Sequence, residues 1–94
     1  MAICGFADKA TEAFFKHGRC PSNWQSFKNA AARKLDMLDY AVSLADLKSP
    51  PGNKLEALKR NRTGQHSIRI NDQWRICFVW TAEGPAGVEI VDYH

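Results

Sequence analysis

A chain of 94 residues with 45% hydrophobic and 24% charged content is the size of one domain, spanning residues 1–94, with enough apolar surface for a single core, and its composition argues against disorder. The formal net charge of +3 is too small for a binder that works by bulk electrostatics alone. No apolar run approaches the length of a membrane helix and the N-terminus lacks a basic-then-apolar signal, so a cytoplasmic protein without membrane contact is expected.

Ala2 to Phe6 fits a short first strand. Asp8 then suits an N-cap for a helix running to about His17, with Phe6, Ala10, Ala13 and Phe14 as its apolar stripe and Gly18 as its end. Pro21-Ser22 opens the longest element. There Trp24, Phe27, Ala31, Leu35, Leu38 and Val42 recur every three or four residues, as in an amphipathic helix lying on a sheet, and Lys28, Arg33 and Lys34 read as its wet face. Ser49-Pro50-Pro51-Gly52-Asn53 breaks the helical pattern. Lys54 to Leu58 alternates, with Leu55 and Ala57 opposing Lys54 and Glu56, and Arg60 to Gly64 is a polar loop.

The run from Gln65 to Trp80 carries the strongest pattern, since its period of two predicts a hairpin of half-buried strands. A two-residue loop at Asn71-Asp72 mixes apolar and polar faces. A three-residue loop, Asn71 to Gln73, pairs Ile70 with Trp74, Ile68 with Ile76 and His66 with Phe78, keeping one face apolar. That register sets Arg69 opposite Arg75. Like charges directly opposite are destabilising, which suggests an anion such as phosphate near them; the alternative is that both merely solvate the hairpin. A Gly-Pro-Ala-Gly turn at Gly84 to Gly87 precedes a last strand from Val88 to about Tyr93. The order β-α-α-β-β-β-β makes an α+β protein, with two N-terminal helices on one face of a small, mostly antiparallel sheet and the arginines on the other.

Cys4, Cys20 and Cys77 are odd in number and lack C-x-x-C spacing, so neither a disulfide framework nor a zinc site is expected; Cys4 and Cys77 read as buried small hydrophobes. His17, His66 and His94 are too scattered for a metal, and register puts His66 on the core side. Lys54, Lys59, Arg60, Arg62, Arg69 and Arg75 crowd one segment against only Glu56 and Asp72, an electrostatic footprint for a polyanion. The closing Val91-Asp92-Tyr93-His94 adds groups capable of proton transfer, and parity from Val88 and Ile90 puts Tyr93 on the arginine face. A frayed tail is the plain alternative. Such a set suits RNA transesterification: the ribose 2′-hydroxyl attacks the adjacent phosphate, so an acid, a base and cationic stabilisation suffice without cofactor or metal, and DNA is spared.

The chain resembles the HigB toxins of bacterial type II toxin–antitoxin modules, within the RelE superfamily of small ribonucleases. The resemblance spans essentially the whole chain and rests on Lys34 to Asp39, Pro50 to Leu58, Gln65 to Phe78 and Val88 to His94. It implies a microbial-ribonuclease-like fold, mRNA cleavage on the translating ribosome, growth inhibition, and neutralisation by a HigA-like helix-turn-helix antitoxin, with no direct DNA binding by this chain. Carried over by position, Arg75, Lys59, Asp92, Tyr93 and His94 match places implicated in cleavage or RNA contact. Some relatives have histidine where Glu56 stands, which leaves Glu56, Tyr93 and His94 all open as general base. Arg75 is expected to stabilise phosphate charge, while Arg69, Lys59, Arg62 and Lys54 hold RNA. Two other classes compete: a non-catalytic RNA- or ribosome-binding domain using the same face, and an interaction subunit using Trp24 or Trp80.

Overall fold

The computed structural model describes residues 2–92. Helix α1 runs Lys9–His17. Asp8 starts it by accepting the Thr11 N–H at 2.8 Å, and Gly18 ends it at φ 70°, where its N–H reaches the Phe14 carbonyl at 3.0 Å. The inward stripe differs from expectation by one position. Thr11 is fully buried and Ala10 exposed, because the Thr11 hydroxyl accepts the Ile90 N–H at 3.1 Å and so ties the helix to the sheet.

The expected long helix is two elements, a 3₁₀ turn at Ser22–Phe27 and helix α2 at Lys28–Tyr40. Trp24, Phe27, Ala31, Leu35 and Leu38 face the core as the spacing predicts. Val42 does not, at 74% exposed. The helix stops at Tyr40, the extended Ala41 takes the buried place, and the Val42 and Ser43 N–H groups turn to the Asp46 carboxylate at 2.9 and 3.1 Å. Those backbone donors hold the Asp46 carboxyl below the usual aspartate range. Lys34 also departs from the wet face: it is half-buried, and its ammonium is 2.5 Å from the Asn53 side-chain oxygen. Short 3₁₀ turns at Leu44–Lys48 and Pro51–Asn53 then carry the chain across to the sheet.

Four antiparallel strands follow in spatial order: β1 (Glu56–Ala57), β2 (His66–Arg69), β3 (Trp74–Thr81) and β4 (Gly84–Asp92). The expected first strand contributes one parallel bridge, Phe6 to Val88, with Cys4 and Ala7 donating to Pro85 and Val88 carbonyls. In β1 the expected alternation fails at its end, since Leu58 is buried and Ala57 exposed. The Gly-Pro-Ala-Gly run is strand rather than turn. The turn is Ala82-Glu83, and Gly87 at φ 57° sits in a bulge where β4 carries one residue more than β3.

The β2–β3 hairpin has the expected register: His66 opposite Phe78, Ile68 opposite Ile76, Arg69 opposite Arg75. Asn71 closes the turn by accepting the Gln73 and Trp74 N–H groups at 2.9 and 2.8 Å. Ile68, Ile76, Phe78, Val88 and Ile90 form the sheet side of the core; Phe14, Trp24, Leu35 and Leu38 form the helical side. His66 stacks on Phe78, as its core-side register requires. Trp24 is buried and Trp80 is partly buried against the core, as their apolar stripes predict. Cys77 is buried as expected, but Cys4 is exposed because its segment has only a bridge to cover it. No helix among the described residues is long and apolar enough to cross a membrane.

Leu35 and Val42 belong to one apolar periodicity but to opposite environments. Leu35→Ala should lower stability by about 2–5 kcal/mol through lost burial and a cavity, whereas Val42→Ser should leave the urea midpoint within error of wild type. Equal shifts in the two variants would contradict the end of α2 at Tyr40.

Candidate active site on the helix-free sheet face

Strand parity sends Ser67, Arg69, Arg75, Cys77 and Glu89 to the face away from the helices. Arg75 is the best-anchored of them. Its Nε donates to the Ser67 hydroxyl at 2.7 Å, and its Nη2 donates to the Lys54 carbonyl at 2.6 Å. The Glu56 carboxylate stands 3.9 Å from Nε. Only 11% of the Arg75 side chain is exposed, yet among the described residues Nη1 has no hydrogen-bond partner. The result is a cation with its plane fixed and one donor edge left for an outside acceptor.

The arginines opposite each other are balanced by carboxylates from the chain itself. Arg69 pairs with Asp72 of the hairpin turn, Arg75 with Glu56, and Arg62 with Glu89 at 3.6 Å, where Arg62 also donates to Gln65 at 3.0 Å. No bound anion is therefore needed to explain why the like charges tolerate one another. Beneath this layer Ser67 and Cys77 are fully buried despite facing away from the helices, because the long side chains above them shield both. Burial pushes the Cys77 thiol up, and Arg62, Glu89, Arg75 and Glu56 are the charges that act on it.

Beside this layer Glu56, Ala57, Leu58, Lys59 and Arg60 line an open concavity of about 410 Å³. Glu56 belongs to both: it lines the concavity and stands 3.9 Å from Arg75 Nε. Lys59 and Lys54 are exposed; Lys54 contributes its carbonyl to Arg75 as well. Asp92 lies apart from the arginine layer. It is opposite Trp74 in register, on the parity of Ile90, and accepts from the Gln73 amide at 2.9 Å. Tyr93 and His94 lie outside the described residues. Among the described residues no group of three His, Cys, Asp or Glu side chains is gathered for a metal.

Ser67 is the neighbour of Arg75 that sequence reasoning missed. Once the hairpin register is drawn, it is diagonal to Arg75 on one face, within reach of a long side chain. Ser67→Ala should cost about 1.5–3 kcal/mol, the range for a hydrogen bond to a charged group, as a lowered urea midpoint. The Arg75 Nε proton should also exchange faster with water; wild-type exchange would show that this hydrogen bond does not hold the guanidinium.

The family described as the RelE-like toxin of type II toxin-antitoxin system HigB matches residues 4–94. Toxin HigB-1 of Vibrio cholerae is 42% identical over a 93-residue alignment, covering 95% of this chain and 94% of that protein. Among solved structures, the YoeB-YefM complex of Staphylococcus aureus includes a chain at TM-score 0.58 and 22% identity, with 100% of this chain and 97% of that one covered. A YoeB/ParE toxin from Agrobacterium tumefaciens matches at TM-score 0.53 and 19% identity, over 100% and 99%. These two share the fold. With the matched family and the Vibrio relative spanning nearly its full length, the chain belongs to the HigB-like toxins, RelE-like toxins of type II toxin–antitoxin systems.

Proposed function

We propose that this single-domain toxin is a metal-independent endoribonuclease that cuts mRNA on the translating ribosome and thereby stops growth. The observation that carries this reading is the Arg75 guanidinium, immobilised by Ser67 and the Lys54 carbonyl, with Nη1 left without a partner among the described residues. A preorganised cation of this kind stabilises charge on a phosphate as it becomes pentavalent. In the reaction the ribose 2′-oxygen bonds to phosphorus as its proton leaves to a base. The bond to the 5′-oxygen breaks, and that oxygen takes a proton from an acid. The products are a 2′,3′-cyclic phosphate and a 5′-hydroxyl.

Glu56, Tyr93 and His94 are the candidates for moving these protons, with Asp92 close to the last two in sequence. Glu56 has the geometric support of standing next to Arg75. Lys59 and Arg62 hold backbone phosphates, Arg69 positions the RNA strand, and the Lys54 ammonium adds to the same field. The inhibitor is a HigA-like helix-turn-helix antitoxin, by analogy with the toxin–antitoxin pairing in the Staphylococcus aureus complex. DNA contact belongs to that partner.

Purified toxin added to translating ribosomes, with mRNA ends mapped, tests the reading. Wild type should cut within the translated region. Arg75→Ala should lose roughly two to three orders of magnitude in rate while keeping its fold, and Lys59→Ala should weaken association and flatten its salt dependence. Intact mRNA with salt-sensitive ribosome binding would instead identify a non-catalytic RNA-binding domain.

The tail has its own test. Deleting His94 should slow cleavage about a hundred- to ten-thousandfold, the usual loss for a general acid or base. A wild-type rate from the deletion would transfer proton movement to Glu56 or Tyr93.

A further inference from the structure

Among the described residues Asn53 is the one fully buried asparagine, and both ends of its side-chain amide are hydrogen-bonded. Its Nδ2 donates to the Leu47 and Ser49 carbonyls at 3.2 and 3.3 Å, and its Oδ1 accepts from the Lys34 ammonium at 2.5 Å. Three parts of the chain therefore meet at this side chain: helix α2, the turn ending at Lys48, and the Pro51–Asn53 turn. Burying a polar side chain is tolerable only when its groups are paired in this way. The arrangement is more than a loop needs to remain on the surface.

The next residue explains what is being held. Lys54 is left-handed, at φ 45° and ψ 54°, a conformation a lysine adopts only when its surroundings impose it. Its N–H is fixed to the Pro51 carbonyl at 3.1 Å, and its own carbonyl receives Arg75 Nη2. The carbonyl that orients Arg75 thus sits one residue from a fully buried anchor. We propose that Asn53, gripped by Lys34, is a positioning residue that fixes the Lys54 carbonyl and through it the Arg75 guanidinium. The catalytic consequence rests on the reading of Arg75 as the phosphate-stabilising group; the mechanical link from Asn53 to Arg75 does not.

Burial, followed by the charges of Arg33 and Arg69, lowers the Lys34 pKa. Lys34 is also the safer handle, because removing Asn53 leaves the Leu47 and Ser49 carbonyls without their donor and endangers the fold.

The test uses the full chain, comparing wild type, Lys34→Met, Lys34→Arg and Asn53→Asp, each also in an Arg75→Ala background. In Lys34→Met the Arg75 Nε–H resonance should shift and lose protection from solvent exchange. Ribosome-dependent cleavage should fall by on the order of tenfold to a hundredfold, as for a displaced catalytic group, chiefly in kcat. Lys34→Arg, which keeps a cationic donor, should recover part of both. Neither Lys34→Met nor Asn53→Asp should slow the residual rate of Arg75→Ala further. An unmoved Arg75 resonance in folded Lys34→Met overturns the proposal, as do losses that multiply with that of Arg75→Ala. If Arg75→Ala cleaves at the wild-type rate, the catalytic reading of Arg75 falls, and the resonance alone decides the positioning link. Should Asn53→Asp fail to fold, Lys34→Met still decides.

Discussion

The pairing of Ile68 with Ile76 across the β2–β3 hairpin is the constraint on which the helix-free face depends. Both side chains are fully buried against α2 and its neighbours, so the apolar set has one admissible register. A slip of one residue would exchange the two faces of the strand, driving Arg69 or Arg75 into the core and the isoleucines into water. Each buried isoleucine is worth about 1.5–3 kcal/mol relative to exposure, and burying an unpaired guanidinium would add several more. The core thus holds the site in place from behind. The apolar face of α2 helps decide where those arginines point.

The charged layer then depends on what lies diagonal to it. Ser67 is small enough to sit fully buried beneath Arg75 and polar enough to take its Nε–H. Lys54 provides a second acceptor from outside the sheet, at the point where the chain arrives from α2. An arginine bonded on two sides has lost most of its rotamer freedom before any ligand arrives, so that ordering cost is not charged against binding. Glu56 completes the surroundings and opens toward the concavity lined by Lys59 and Arg60.

Much of this was legible in the chain. The three-residue loop at Asn71 to Gln73 was readable because only it keeps the isoleucines and aromatics in phase. The α1 caps were readable because Asp8 and Gly18 act locally. What escaped is set by contacts distant in sequence. The end of α2 depends on Asp46 capturing the Val42 and Ser43 N–H groups, and the exposure of Val42 follows from that capture. Gly84 and Gly87 looked like one turn, since positive φ serves a turn and a bulge equally well. Lys34 looked like solvent-facing charge because its partner, Asn53, comes 19 residues later. Ser67 was within reach of the drawn register. Asp92, grouped with the tail by adjacency, stands on the Trp74 side of the sheet.

The carboxylates opposite Arg62, Arg69 and Arg75 carry a consequence for how this surface meets any polyanion. Engagement of Arg62 and Arg69 is an ion exchange, in which an incoming anion must displace a side-chain carboxylate already in place. Arg75, whose Nη1 has no partner among the described residues, can take an anion while its own contacts stay intact. Each such swap leaves the number of close cation–anion pairs unchanged, so little net Coulomb energy is gained from charge alone. A loosely held polyanion is therefore a poor competitor for those two arginines. Discrimination falls instead to geometry, because an anion must meet the fixed angle of the Arg75 guanidinium to bond its free edge.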